Sequence, residues 1–164
     1  MALHPATFRD ATADDAAELA DVFADAVRSA GPLRYTPQQV EAWAAAADDP
    51  ASFGARVLAH RTLVAVAESE VVGFASVAPD GHIHMLYVRG RRQGGGLGAR
   101  LLSVALDAAT EAGASRVYAE ASSLGLPAFT RAGFTETGVE SVDVRGVTFE
   151  RHLVEKTLRA GPRL

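Results

Sequence analysis

Cysteine is absent from this chain of 164 residues. Disulfide frameworks, zinc–thiolate sites and cysteine nucleophiles are thereby excluded, and with the last goes a covalent acyl–cysteine intermediate. No apolar run approaches the roughly 20 residues that a membrane helix needs, so no membrane partner is expected. The opening stretch MALHPATFRD lacks the charged head and apolar centre of a secretion signal, which makes a cytoplasmic protein the expectation. Positive charge is in deficit, with 16 Lys and Arg against 20 Asp and Glu and a formal net charge of −4. Nucleic acid is therefore not an expected partner. No repeat, linker or low-complexity tract breaks the chain. Its length suits a single domain, 1–164, that buries a sizeable core without staples.

What is present reads as alternating local patterns. Residues 5 to 11 suit an edge strand, with Pro5 at its start. Thr12 is placed to cap a helix whose apolar face is Leu19, Val22, Phe23, Ala26 and Val27, ending at Gly31-Pro32. Thr36, Pro37 and Gln39 form a second start signal, a capping box with proline at the first helical position. That helix carries Val40 and Trp43 and stops near Asp48-Asp49-Pro50, and 51–60 read as ambiguous. From Leu63 the period becomes two: strands 63–67 and 71–77 around Glu68-Ser69-Glu70, a turn at Pro79-Asp80-Gly81, and a strand at 82–88. Helix 97–112 and strand 116–121 follow, then a short helix at 124–132 and a closing hairpin of 134–144 and 147–158. Strands 82–88 and 116–121 are joined through a helix and should run parallel. The expected fold is α/β, a mixed and mostly antiparallel sheet with one parallel strand–helix–strand crossover and flanking helices.

The chemistry concentrates in His82 to Leu102, HIHMLYVRGRRQGGGLGARLL. A strand, a basic glycine-rich turn and a helix start in that order present unpaired N–H groups and a positive dipole end to an anion. Gly94, Gly95, Gly96 and Gly98 clear side chains from the turn, and Arg89, Arg91, Arg92 and Arg100 surround it. A pyrophosphate is the expected occupant. A Walker loop is excluded because no Gly-Lys-Ser/Thr follows, and a dinucleotide fingerprint because Leu101 stands where its third glycine belongs.

Two blocks in this order resemble the GCN5-related N-acetyltransferase (GNAT) superfamily, of the small bacterial type. Leu86-Tyr87-Val88, four residues, then Gln93-Gly94-Gly95-Gly96-Leu97-Gly98 match its acetyl-CoA signature, Q/R-x-x-G-x-G/A. Ser122 to Phe134, SSLGLPAFTRAGF, is similar to its second motif. The resemblance implies acetyl-CoA as co-substrate and no metal. It also implies that the backbone of Leu86 and Val88, with Tyr87 between them, pairs with the pantetheine arm. The pyrophosphate then rests on the amides from Gly94 to Ala99, including Leu97, with Arg91, Arg92 and Arg100 meeting phosphate charge. The other reading of those arginines is a solvated surface cluster.

His82 and His84, two apart on a strand, share a face. An amine must lose a proton before attacking a thioester, and a group titrating near neutrality suits that task. His-x-His before this segment resembles the arylalkylamine acetyltransferases, where such histidines relay the proton. A paired-histidine metal site lacks a third ligand. One solvent-facing and one structural histidine is the plain alternative.

The second motif departs from the family where its tyrosine is Phe129, which has no proton to give, and where its asparagine is Ser122. Ser122, Ser123, Tyr118 or a water would then protonate the thiolate, and Glu120 is a further base candidate. Tyr35 and Trp43 border the acceptor pocket by the same resemblance, or anchor their helix in the core. The expected activity is acetyl transfer to a primary amine of a small-molecule acceptor by direct attack in a ternary complex. A non-catalytic acyl-CoA-binding module and a protein N-terminal or lysine acetyltransferase stay open as alternatives, as does a homodimer.

Overall fold

The computed structural model describes residues 4–158, so the expected domain limits, 1 and 164, lie outside the described residues. Strand β1 (Thr7–Asp10) pairs antiparallel with β2 (Arg61–Ala67), β2 with β3 (Glu70–Val77) and β3 with β4 (Ile83–Val88). A second sheet has the order β5 (Arg116–Ala121), β7 (Val147–Thr157), β6 (Thr135–Val144), also antiparallel throughout. Helices α1 (Ala16–Ala30), α2 (Pro37–Ala44), α3 (Pro50–Leu58), α4 (Leu97–Glu111) and α5 (Leu126–Arg131) flank them. No described helix is long and apolar enough to cross a membrane.

Local chemistry explains the helix starts. Asp15 accepts from the Thr12 N–H at 2.7 Å and pairs with Arg9, which draws its carboxyl below the usual range, chiefly through the Arg9 hydrogen bond. A 3-10 turn, Ala13–Asp15, then feeds α1. The capping box of α2 is formed in full: the Gln39 N–H donates to Thr36 Oγ1 at 3.1 Å, and Thr36 N–H to Gln39 Oε1 at 3.0 Å. The ambiguous stretch resolves as α3, with Pro50 in its first turn and Asp49 capping Ser52 N–H at 3.2 Å.

Helix α1 buries Leu19, Val22, Phe23 and Val27 against Phe53 and Val57 of α3 and Phe74 of β3. Each such side chain withdrawn from water contributes about 1.5–3 kcal/mol. On the other face of the sheet, Leu101 packs with Ala65 and Val72, and Leu102 with Leu63 and Val117.

Two local expectations are corrected. The β2–β3 hairpin turns on two residues, Glu68 at φ 50° and Ser69 at φ 64°, while Glu70 is the first residue of β3. The turn is left-handed without glycine, a pattern that turn composition does not announce. The parallel crossover is present through α4, but β4 and β5 meet only at the bridge between His82 and Tyr118, beside a Tyr118 N–H to Gly81 C=O bond of 3.1 Å. Beyond that point they belong to separate sheets. Gly81 permits the meeting: it sits at φ 96°, and a Cβ there would lie 2.0 Å from the Arg116 carbonyl oxygen.

Candidate active site

Because β4 and β5 part, the outward edge of β4 faces open space rather than a neighbouring strand, and two cavities follow it. The larger, about 870 Å³, runs from the glycine-rich turn past Leu86, Tyr87 and Val88 to Ser122 and Gly125. The smaller, about 240 Å³, lies between β4 and β5 and reaches Tyr35, Trp43, His84, Phe129 and Phe149. Trp43, Leu86, Tyr87, Ser122 and Gly125 line both, so the cavities meet there.

The turn ends in a helix start whose first backbone donors have no partner among the described residues. Gly94 and Gly96 adopt φ 81° and 84°, and a Cβ on either would have nothing within 4 Å. Gly96 caps α4 in the left-handed conformation. Among the described residues, no backbone carbonyl accepts from an amide between Gly94 and Ala99, which leaves the donors that a helix N-terminus offers to an anion. Gly94, Gly96, Gly98 and Ala99 line the larger cavity; Gly95 does not, and Leu97 is buried beneath with Leu101. Gln93 lines it too, while its Nε2 donates back to the Val88 carbonyl at 2.9 Å.

The arginines divide. Arg92 lines the larger cavity and donates to the His4 carbonyl at 2.8 Å. Arg91 lies outside both cavities, paired with Glu70. Arg100 stands over the Phe8 ring, 4.9 Å from its centroid. Arg89 is buried; its Nε donates to the Val71 carbonyl and its Nη1 to Asp21, both at 2.8 Å, which ties the turn to α1 and β3 instead of to a ligand. Asp25 reinforces this by accepting from the Gly90 N–H at 2.8 Å. Two cations that motif reading missed, Arg131 and Lys156, line the cavity from α5 and β7. They are far from the turn in sequence, and only the sheet topology gathers them.

His84 is the bulged residue of β4: Ile83 pairs with Val77 and Met85 with Ser76, which leaves His84 opposite no partner. A bulge re-aims its side chain, and His84 lines the smaller cavity. Its pKa is lowered, first by burial and then by the fields of His82 and His60. His82 lines neither cavity; its ring lies 3.9 Å from His84, and its Nε2 is 2.6 Å from Glu120 Oε2. Asp80 holds the preceding turn by accepting from Tyr118 Oη at 2.6 Å and from His82 N–H at 3.0 Å. The Tyr118 bond draws the Asp80 carboxyl down and holds the Tyr118 hydroxyl up. Tyr118 and Glu120 are therefore committed to partners. Among the described residues, no group of three or more His, Asp or Glu is arranged to hold a metal ion.

An aromatic wall faces His84. Tyr35 and Trp43 meet edge to face at 5.5 Å, and Phe149 lies 5.9 Å from Tyr35 and 6.4 Å from Trp43. Trp43 serves both readings, packing on the α1 core while lining the cavities. Tyr87 backs the wall; burial pushes its hydroxyl up to about 12. The closing hairpin is fastened over α2, since Gln39 Nε2 donates to the Thr148 carbonyl at 3.1 Å and Arg145 Nη2 to the Ala45 carbonyl at 3.0 Å. Those bonds bring Phe149, Val142 and Val144 into the smaller cavity, residues whose alternating pattern had marked only a strand.

Around α5, Ser122 Oγ accepts from the Gly125 N–H at 3.0 Å, so its own proton remains available. Tyr35 Oη accepts from the Ser123 N–H, also at 3.0 Å. Phe129 is buried, edge to face with Phe134 at 5.0 Å, and lines the smaller cavity.

A family model described as "Acetyltransferase (GNAT) domain" matches residues 33–152. No curated protein matches the chain. Among solved structures it is similar to the "GCN5-Related N-acetyltransferase: Aminotransferase, Class-II" of Rhodopseudomonas palustris, at 32% identity and TM-score 0.89, covering 96% of this chain and 99% of that one. PaiA N-acetyltransferase from Thermoplasma acidophilum, solved with coenzyme A, aligns at 18% identity and TM-score 0.72, over 93% and 99%. The yncA protein of Salmonella typhimurium, solved with its cofactor acetyl-CoA, aligns at 23% identity and TM-score 0.68, over 96% and 98%.

Proposed function

The chain belongs to the GNAT acetyltransferases, and from that premise we propose that it moves acetyl from acetyl-CoA to a primary amine of a small molecule. The observation that carries this reading is the continuity of the site: unpaired amides at Gly94 to Ala99, the open edge of β4, and His84 follow one another along joined cavities. The pyrophosphate rests on the amides, with Arg92, Arg131 and Lys156 adding positive field. The pantetheine arm lies along Leu86 to Val88 as an added strand. The acetyl group then reaches the junction at Ser122, beside the aromatic wall that receives the acceptor.

His84 takes a proton from the acceptor ammonium, directly or through water, and its lowered pKa keeps it neutral and ready at physiological pH. The freed amine attacks the thioester carbonyl, and the tetrahedral intermediate collapses with expulsion of the thiolate. Holding both reactants in one cleft supplies much of the rate. Phe129 cannot protonate the sulfur; Ser122, which lines both cavities and keeps its own proton, passes that proton on and takes one in turn from the acylated nitrogen. The hairpin wall of Val142, Val144 and Phe149 favours a small acceptor over a peptide.

Release of free CoA thiol across a panel of amines tests the reading. Turnover with at least one small amine, lost in His84→Ala below the amine's own pKa, supports it. Acetyl-CoA binding without turnover on any acceptor would favour a sensing module, the reading that Phe129 keeps alive.

A further inference from the structure

Three imidazoles and a phenol adjoin one another beside the smaller cavity, as two stacked pairs tilted by 51° where His84 meets His82. His60, just past α3, lies flat on His84, with ring centroids 4.0 Å apart and planes 9° apart. His84 meets His82 at 3.9 Å, and His82 stacks on Tyr118 at 4.6 Å with planes 1° apart. Of these four, only His84 lines the cavity. Resting on the reading of His84 as base, we infer that His60 is a positioning residue that clamps the His84 ring against β4 and holds it in its neutral, proton-accepting form.

Two independent features require such a clamp. His84 stands on a bulge with only part of its side chain withdrawn from water, so no ladder pairing restrains it, and among the described residues no hydrogen bond reaches its ring. Stacking restrains the ring plane and leaves the ring edge, which carries both nitrogens, uncovered by His60. The second feature is charge. His84 is faced by His60 from the α3–β2 connection, His82 from its own strand, Glu120 and Tyr118 from β5, and Asp80 from the preceding turn. Both carboxylates that would favour an imidazolium are engaged elsewhere, Glu120 by His82 Nε2 and Asp80 by Tyr118 Oη and the His82 N–H. Burial and the neighbouring imidazoles oppose it, and His60 is the member of that set that covers a whole face of the ring.

The test uses the full chain, with His60→Phe to keep a flat ring without its titratable nitrogens and His60→Ala to remove both. The titration of the His84 Cε1 proton is followed by NMR, and kcat against pH by CoA-thiol release. In His60→Phe the His84 midpoint moves upward and the acid limb of kcat moves with it. In His60→Ala the midpoint also rises, and kcat at pH 8.5 falls further than in His60→Phe, because the ring has lost its support. CoA titration establishes that each variant is folded. Unchanged midpoints, or equal kcat in the two variants, would overturn the inference. His84→Ala separates this from failure of the base assignment. If it removes the acid limb while His60→Phe leaves the midpoint in place, only the role of His60 falls. If it leaves the limb intact, the base assignment fails and the role of His60 goes with it.

Discussion

Gly96 and Gly98 sit two residues apart where the glycine-rich turn enters α4, yet alanine should move stability in opposite directions at the two positions. Gly96 holds φ 84°, and its Cβ would meet nothing within 4 Å. The penalty there is conformational alone, about 1–2 kcal/mol for an L-residue in the left-handed region. For a chain of this length each kcal/mol lowers Tm by about 2–4 °C. Gly98 lies in the first turn of α4, and its Cβ would touch Val88 Cγ2 at an ordinary 3.9 Å. Alanine there removes backbone entropy from the unfolded chain and stabilises by up to about 1 kcal/mol. Both glycines nevertheless line the larger cavity, so either methyl takes up room beside the amides proposed to hold the pyrophosphate. Losing one charge-assisted amide contact of about 1.5–3 kcal/mol weakens CoA roughly 10- to 100-fold. Calorimetric titration with CoA and thermal unfolding of each variant provide the comparison. Gly98→Ala binding CoA like the parent, or affinity losses that simply follow Tm, would refute the proposed pyrophosphate site.

Three further outcomes follow from the structure. Gly81→Ala forces a Cβ toward the Arg116 carbonyl at the one bridge between β4 and β5, so chemical denaturation should reveal a loss of about 3 kcal/mol or more; a loss under half of that would mean the junction yields easily. Asp15→Asn removes the carboxylate that caps Thr12 and pairs with Arg9. Its depressed pKa means that the stabilisation is present above the ordinary carboxylate range and disappears as pH falls through the folded value. The variant should be weaker by about 1–2 kcal/mol at pH 7, the difference should shrink as pH falls below the ordinary carboxylate range, and a constant offset would refute the assignment. Phe129→Tyr places a phenol in the smaller cavity and should raise kcat; a fall of about tenfold, ~1.4 kcal/mol in the barrier, would mean that the ring serves only packing against Phe134.

Elements whose instructions are local were legible in the sequence. Thr36-Pro37-x-Gln39 announced α2, the glycine run announced the start of α4, and alternation gave β5 to the residue. The glycine-rich turn belongs to this class, since its unpaired donors are consecutive amides. What stayed hidden depends on distant partners. Arg89 looked like its neighbours, and only burial under α1 makes it a structural tie to Asp21 and Val71. Phe149, Arg131 and Lys156 join the site through the second sheet, more than thirty residues from the glycines. His60 carries no local signal, because the end of a helix gives no hint of the ring it will cover. The bulge at His84 was equally invisible, arising from a register shift against β3.

The parting of β4 and β5 leaves an edge of each strand without a ladder partner past the His82–Tyr118 bridge. A fold that is finished by a transient guest has a lifetime that depends on the guest's abundance: at a free concentration one hundred times Kd, occupancy adds about 2.7 kcal/mol against unfolding. Limited proteolysis of the chain should therefore slow as acetyl-CoA is added.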